Sequence, residues 1–151
     1  MEIVVNEWLL NYLRPDAPES DKIKVYLFIN AFVCKLDKIV IKGNSPFAKK
    51  FYTFWKQFEG DAHFHKDFSK LHQLLFRDAD RTIIVYDNEL NNLPNDIEKI
   101  TPIDDRYLIE LWYSKQERIV LTTDARLKEK LKDIPNLKIH LLEEFLRGYV
   151  T

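Results

Sequence analysis

Asp104, Asp105 and Asp124 are the residues of this chain whose types and spacing could do chemistry. Asp104-Asp105-Arg106-Tyr107-Leu108 puts acidic groups at the start of a helical pattern. Val120-Leu121-Thr122-Thr123-Asp124 runs a buried strand pattern straight into a Thr-x-Asp turn. If these two element ends lie side by side, Asp105 and Asp124 face each other across a small gap. Two carboxylates that close repel unless a positive charge sits between them, and a hard divalent cation with oxygen ligands is the usual answer. The chemistry implied is metal-assisted hydrolysis of a phosphodiester.

The elements that must position these residues alternate along the chain. Glu2 to Val5 reads as a first strand, with Asn6 capping a helix from Glu7 to Leu13. A helix follows from Asp21 to about Leu36, with Ile23, Leu27, Ala31 and Cys34 in register. Lys38 to Ile41 is a second strand. Ser45 then caps a helix whose first position is Pro46 and which carries Phe47, Phe51, Phe54, Trp55 and Phe58. Asp61 to Arg77 reads as one helix, Thr82 to Tyr86 as a short strand, and Asp87 to Pro102 as loop. Asp104 to Ser114 is helical, Arg118 to Thr122 a strand and Ala125 to Leu131 a helix. Leu137 to Leu141 is the last strand, and Glu143 to Tyr149 the last helix.

The best strands are continuously apolar, as parallel strands covered on both faces must be. The expected architecture is therefore a three-layer α/β/α sandwich around a mostly parallel sheet, one domain over residues 1–151. In such sheets ligands sit beyond the carboxyl ends of the strands. Asn6 and Glu7, Asp104 and Asp105, and Asp124 can all gather at that edge.

Composition narrows the options. The net charge is -1, so no molecule-wide field attracts polyanions, and any nucleic-acid contact must come from a local patch. Three glycines cannot build a phosphate loop or a dinucleotide fingerprint. No apolar stretch reaches membrane-spanning length and no signal peptide is recognisable, so a cytoplasmic protein without membrane contact is expected. The single cysteine, Cys34, lies in an apolar run and reads as core filler in a reducing compartment.

The late half resembles the PIN-domain family of metal-dependent ribonucleases. The resemblance rests on Asp104-Asp105-Arg106-Tyr107-Leu108, on Arg118 to Leu127 with its Thr122-Thr123-Asp124 turn, and on Leu137 to Leu146 with Glu143-Glu144-Phe145-Leu146. Ile3-Val4-Val5-Asn6 matches the family's first strand in position. The resemblance implies Asp105 and Asp124 as ligands of Mg²⁺ or Mn²⁺, with Asp104 or Glu7 as additional donors. It implies Thr122 as the hydroxyl that orients the site. Two positions depart from the family: Asn6 stands where it has Asp, and Lys49-Lys50 occupy the helix where it has Glu.

An active enzyme would cleave single-stranded or loop RNA, with Asn6 hydrogen-bonding a water on the ion. Arg106, Arg126, Lys49 and Lys50 would meet backbone phosphates, and Trp8 or Tyr107 would stack on bases. A toxin-type ribonuclease restrained by an antitoxin or other protein partner fits this reading. So does a homodimer; the Phe47, Phe51, Phe54 and Trp55 series reads as core packing or as a partner surface, not as a cofactor box. The alternative is a catalytically silent PIN-like scaffold that binds protein or RNA. Simpler roles stand beside these. Asp104 and Asp124 are suited to cap helices, and Lys49-Lys50 to a solvated face. His63 and His65 cannot share a helical face with each other and read as a solvated helix start.

Overall fold

The computed structural model describes residues 1–150. Five strands form one sheet in the order β3-β2-β1-β4-β5, with every neighbouring pair parallel. They are β1 (Glu2–Val5), β2 (Lys38–Lys42), β3 (Thr82–Val85), β4 (Ile119–Thr122) and β5 (Lys138–Leu141). β1 is central: Ile3 sits beside Ile39 on one side and Ile119 on the other. Helices cover both faces, giving the three-layer α/β/α sandwich expected from the unbroken apolar runs. Ile3, Val4, Val120 and Leu121 are fully buried, each removing about 1.5–3 kcal/mol of apolar exposure from water.

The helices are α1 (Trp8–Asn11), α2 (Glu19–Cys34), α3 (Pro46–Gln57), α4 (Ala62–His72), α5 (Asn95–Ile100), α6 (Arg106–Ser114), α7 (Ala125–Lys130) and α8 (Leu142–Tyr149). α6 lies against β1, β2 and β4, while α2 pairs with α8, which rests on β4 and β5. Ser45 caps α3 by accepting from the amide of Ala48, with Pro46 at the first position, as its sequence foretells.

Three expectations need correction. The Asp61–Arg77 segment is α4 followed by one π-helical turn, Gln73–Arg77. The Asp87–Pro102 segment contains a 3-10 turn at Asp87–Glu89 and the short helix α5, which starts directly after Pro94. The face of α2 turned inward carries Val25, Phe28 and Phe32, whereas Ile23, Leu27 and Cys34 are exposed. Cys34 is thus not core filler. From Val25 onward α2 is apolar on nearly every side, so its periodicity could not say which side faces the sheet. Of the two roles open to the α3 aromatics, core packing and a partner surface, the first holds: they are mostly interior. Phe51 stacks on Phe68 of α4 at 4.5 Å between ring centroids, and Phe47 and Phe54 are buried, so this series offers little surface to a partner.

Candidate active site

The parallel register decides what meets at the carboxyl rim of the sheet. Val5 lies opposite Leu121, so Asn6 and Glu7, just past β1, fall beside Thr122 and the turn after β4. Asn6 Nδ2 donates to Thr122 Oγ1 at 3.2 Å, and Asn6 Oδ1 accepts from the backbone N–H of Glu7. Asn6 thus staples β1 to β4, and its oxygen is already engaged. Trp8 Nε1 donates to the Leu121 carbonyl at 2.9 Å, which fixes α1 over the same strand.

Thr122 is fully buried and has a second task. Its Oγ1 accepts from the Asp124 backbone N–H at 3.1 Å, which shapes the Thr-x-Asp turn. Asp124 in turn caps α7: its Oδ1 accepts from Arg126 N–H at 2.9 Å and Leu127 N–H at 3.1 Å. The capping role read from sequence is real, yet it occupies only one carboxylate oxygen.

Asp105 ends the 3-10 turn Ile103–Asp105 that leads into α6. Burial, then the charges of Asp124, Glu7 and Asp104 in that order, push its carboxyl up from 3.8 to about 6. Carboxylates far apart in the chain are therefore near enough to act on one another. Asp104 itself is exposed, and α6 begins without a side-chain cap, so the capping role expected for Asp104 is absent. Tyr107, just beyond Asp105 and Arg106, is buried with a hydroxyl that has no hydrogen-bond partner among the described residues. Burial, then Glu7 and Asp105, raises its pKa strongly. Tyr107 and Trp8 are both too buried to stack on a nucleic-acid base.

The cations are unevenly placed. Lys50 Nζ lies 3.9 Å from Glu7 Oε1 and 3.4 Å from Asn11 Oδ1, which brings α3 to the acidic rim. Lys49, next along the helix, is exposed. Arg106 Nη1 pairs with Glu98 of α5 at 3.2 Å, so it braces α5 rather than reaching for a phosphate. Arg126 is exposed at the start of α7. Sequence reasoning missed Lys42, which ends β2 and joins Asp87 at 2.9 Å with Glu110 at 3.1 Å. Its signal was a lysine closing an apolar strand at the same rim. His63, His65 and His72 form no site: His65 and His72 pack on Trp55.

Among the described residues, no group of three or more His, Cys, Asp or Glu side chains is arranged to enclose a metal ion. The site is an open acidic rim, with Asp105 and Asp124 acting on each other and with Glu7 partly neutralised by Lys50. Comparisons with protein-family profiles, with curated proteins and with solved structures match nothing at all.

Proposed function

We propose that this chain is a PIN-like, Mg²⁺- or Mn²⁺-dependent ribonuclease acting on single-stranded or loop RNA, of the toxin type restrained by a protein partner. One observation carries the reading: the Asp105 carboxyl, pushed up to about 6 by burial and by three neighbouring acids. A half-buried carboxyl so surrounded is short of a positive charge. The donor set suits a hard cation that keeps most of its waters and is held by one or two carboxylates. It does not suit an all-protein cage. Asp105 and the free oxygen of Asp124 would hold the ion, with Glu7 and Asp104 at its margin. When bound, such an ion supplies an activated water and charge stabilisation at the scissile phosphate.

The chain's own side chains do the positioning. Thr122 and Asn6 lock the turn that aims Asp124, and the α7 cap fixes that carboxylate's orientation. Lys49 and Arg126, both exposed, are the cations free to meet phosphates.

A specific contact favours the second reading, a silent scaffold. Lys50 brings a tethered positive charge to Glu7, and a built-in cation competes with a soluble one. An RNA assay separates the two. Labelled single-stranded RNA is incubated with the protein and Mn²⁺, with and without chelator, beside Asp105→Asn and Asp124→Asn. Cleavage that chelator and both variants abolish supports the enzyme. Cleavage that survives either treatment, or intact RNA alongside no calorimetric Mn²⁺ binding, rejects it.

A further inference from the structure

α6 carries three buried side-chain donors without a partner among the described residues: Arg106 Nε, the Tyr107 hydroxyl and Trp112 Nε1. A buried donor left unmet is costly, so each such atom asks for an explanation. Arg106 already directs its other two nitrogens at the carboxylate and carbonyl of Glu98. Trp112 lies deeper, roughly 7 Å further along the helix axis from the rim. Tyr107 differs from both. It is only 5% exposed, it stands in the first turn of α6, and its oxygen lies in the fields of Glu7 and Asp105.

An acceptor on the same rim is equally unmet. The Glu7 carboxylate makes no hydrogen bond among the described residues. Its ion pair with Lys50 Nζ spans 3.9 Å, too long for a hydrogen bond, and Lys50 instead donates to Asn11 Oδ1 at 3.4 Å. Asp105 is the weaker candidate for the hydroxyl. It stands two positions before Tyr107, and side chains two apart on a helix do not face each other. Burial, then Glu7 ahead of Asp105, raises the Tyr107 pKa, in keeping with that order. A phenol in such a field keeps its proton and serves as a donor.

We propose that Tyr107 is a positioning residue of the acidic rim: its hydroxyl receives the Glu7 carboxylate when Glu7 leaves Lys50 and turns toward Asp105 and Asp124. The inference rests on the cation-binding reading above and gives that site a third carboxylate. With Glu7 drawn toward Lys50, no three acids among the described residues enclose an ion. Glu7 is attracted more strongly by a double charge held at Asp105 and Asp124 than by the single, loosely placed charge of Lys50. A metal-binding side chain is oriented by an outer hydrogen bond, and Tyr107 supplies one. The exchange breaks no hydrogen bond of Glu7 and satisfies a buried donor.

Calorimetric titration with Mn²⁺, paired with urea unfolding of the metal-free protein, tests this. Tyr107→Phe keeps the ring and removes only the oxygen. Its urea midpoint should equal or exceed that of the wild type, because an unmet donor is gone. Its Mn²⁺ affinity should fall about tenfold, as when a ligand loses its outer partner. Glu7→Ala should also weaken binding. In that background Tyr107→Phe should add no further loss, since the hydroxyl acts only through Glu7. A lowered urea midpoint for Tyr107→Phe, an Mn²⁺ affinity equal to the wild type, or an equal loss in the Glu7→Ala background overturns the proposal. A wild type that binds no Mn²⁺ overturns both the proposal and the ribonuclease reading. The expected Mn²⁺ pattern alongside intact RNA rejects the ribonuclease and upholds the role of Tyr107.

Discussion

Asp105 and Asp124 show how two aspartates of one site can take opposite stability roles. The Asp105 carboxyl holds its proton to about 6 in the fold, above the ordinary 3.8. The native state therefore keeps a proton that the unfolded chain releases. The stability this contributes is fully present below the ordinary value and is lost as pH rises through about 6. Urea unfolding of the wild type should show that loss, and Asp105→Asn should remove it. At pH above 7 the variant should be the more stable protein by on the order of 1 kcal/mol, after solvent screening. If Asp105→Asn is less stable there, burial and the neighbouring acids are not what govern its carboxyl. Asp124 behaves differently because it caps α7. Asp124→Ala should cost about 1 kcal/mol in thermal or urea unfolding, while Asp124→Asn, itself a good cap, should cost little. Equal losses in the two variants would argue against the cap.

At the scale of elements, α2 depends on one distant side chain. Arg81, just before β3, donates to the carbonyls of Phe32, Val33, Lys35 and Asp37, and its guanidinium lies 4.6 Å from the centre of the Phe32 ring. The last carbonyls of a helix lack internal partners, and a forked cation answers several at once. Arg81→Ala should cost about 3 kcal/mol by chemical unfolding, and Arg81→Lys should recover only a minor part, since an ammonium cannot span four carbonyls. No local pattern announces this contact, which crosses more than forty residues. What was legible was whatever a short stretch encodes by itself. The three apolar strands, the Ser45-Pro46 helix start and the Thr-x-Asp turn are of that kind. α2 defeated the reading because from Val25 onward apolar residues lie on nearly every side, so tertiary packing, as against α8, decides its inward side. α5 was missed because Pro94 and the asparagines around it read as breakers, although Pro94 stands where a helix may begin. At the site, the gathering of acids at one rim followed from the alternation of strands and helices. The burial of Tyr107 and the diversion of Arg106 to Glu98 depended on tertiary packing, which no spacing reports.

At the scale of the molecule, the last helix is tied to the sheet through Asp37. The Tyr149 hydroxyl donates to Asp37 Oδ2 at 2.6 Å, linking α8 to the segment before β2. Tyr149→Phe should lower stability by about 1–2 kcal/mol, because a mostly buried carboxylate oxygen loses its donor. An unchanged melting temperature would show that water replaces it. The order β3-β2-β1-β4-β5 has a further consequence for how the protein is made. β1 leaves the ribosome first, yet Ile3 must wait for Ile119 to fill its second flank. At about 5–20 residues per second of synthesis, that delay lasts roughly 6–23 s. Throughout it the nascent chain offers a half-built sheet with an open, apolar border, and that border is where a misplaced strand from a neighbouring polypeptide would attach.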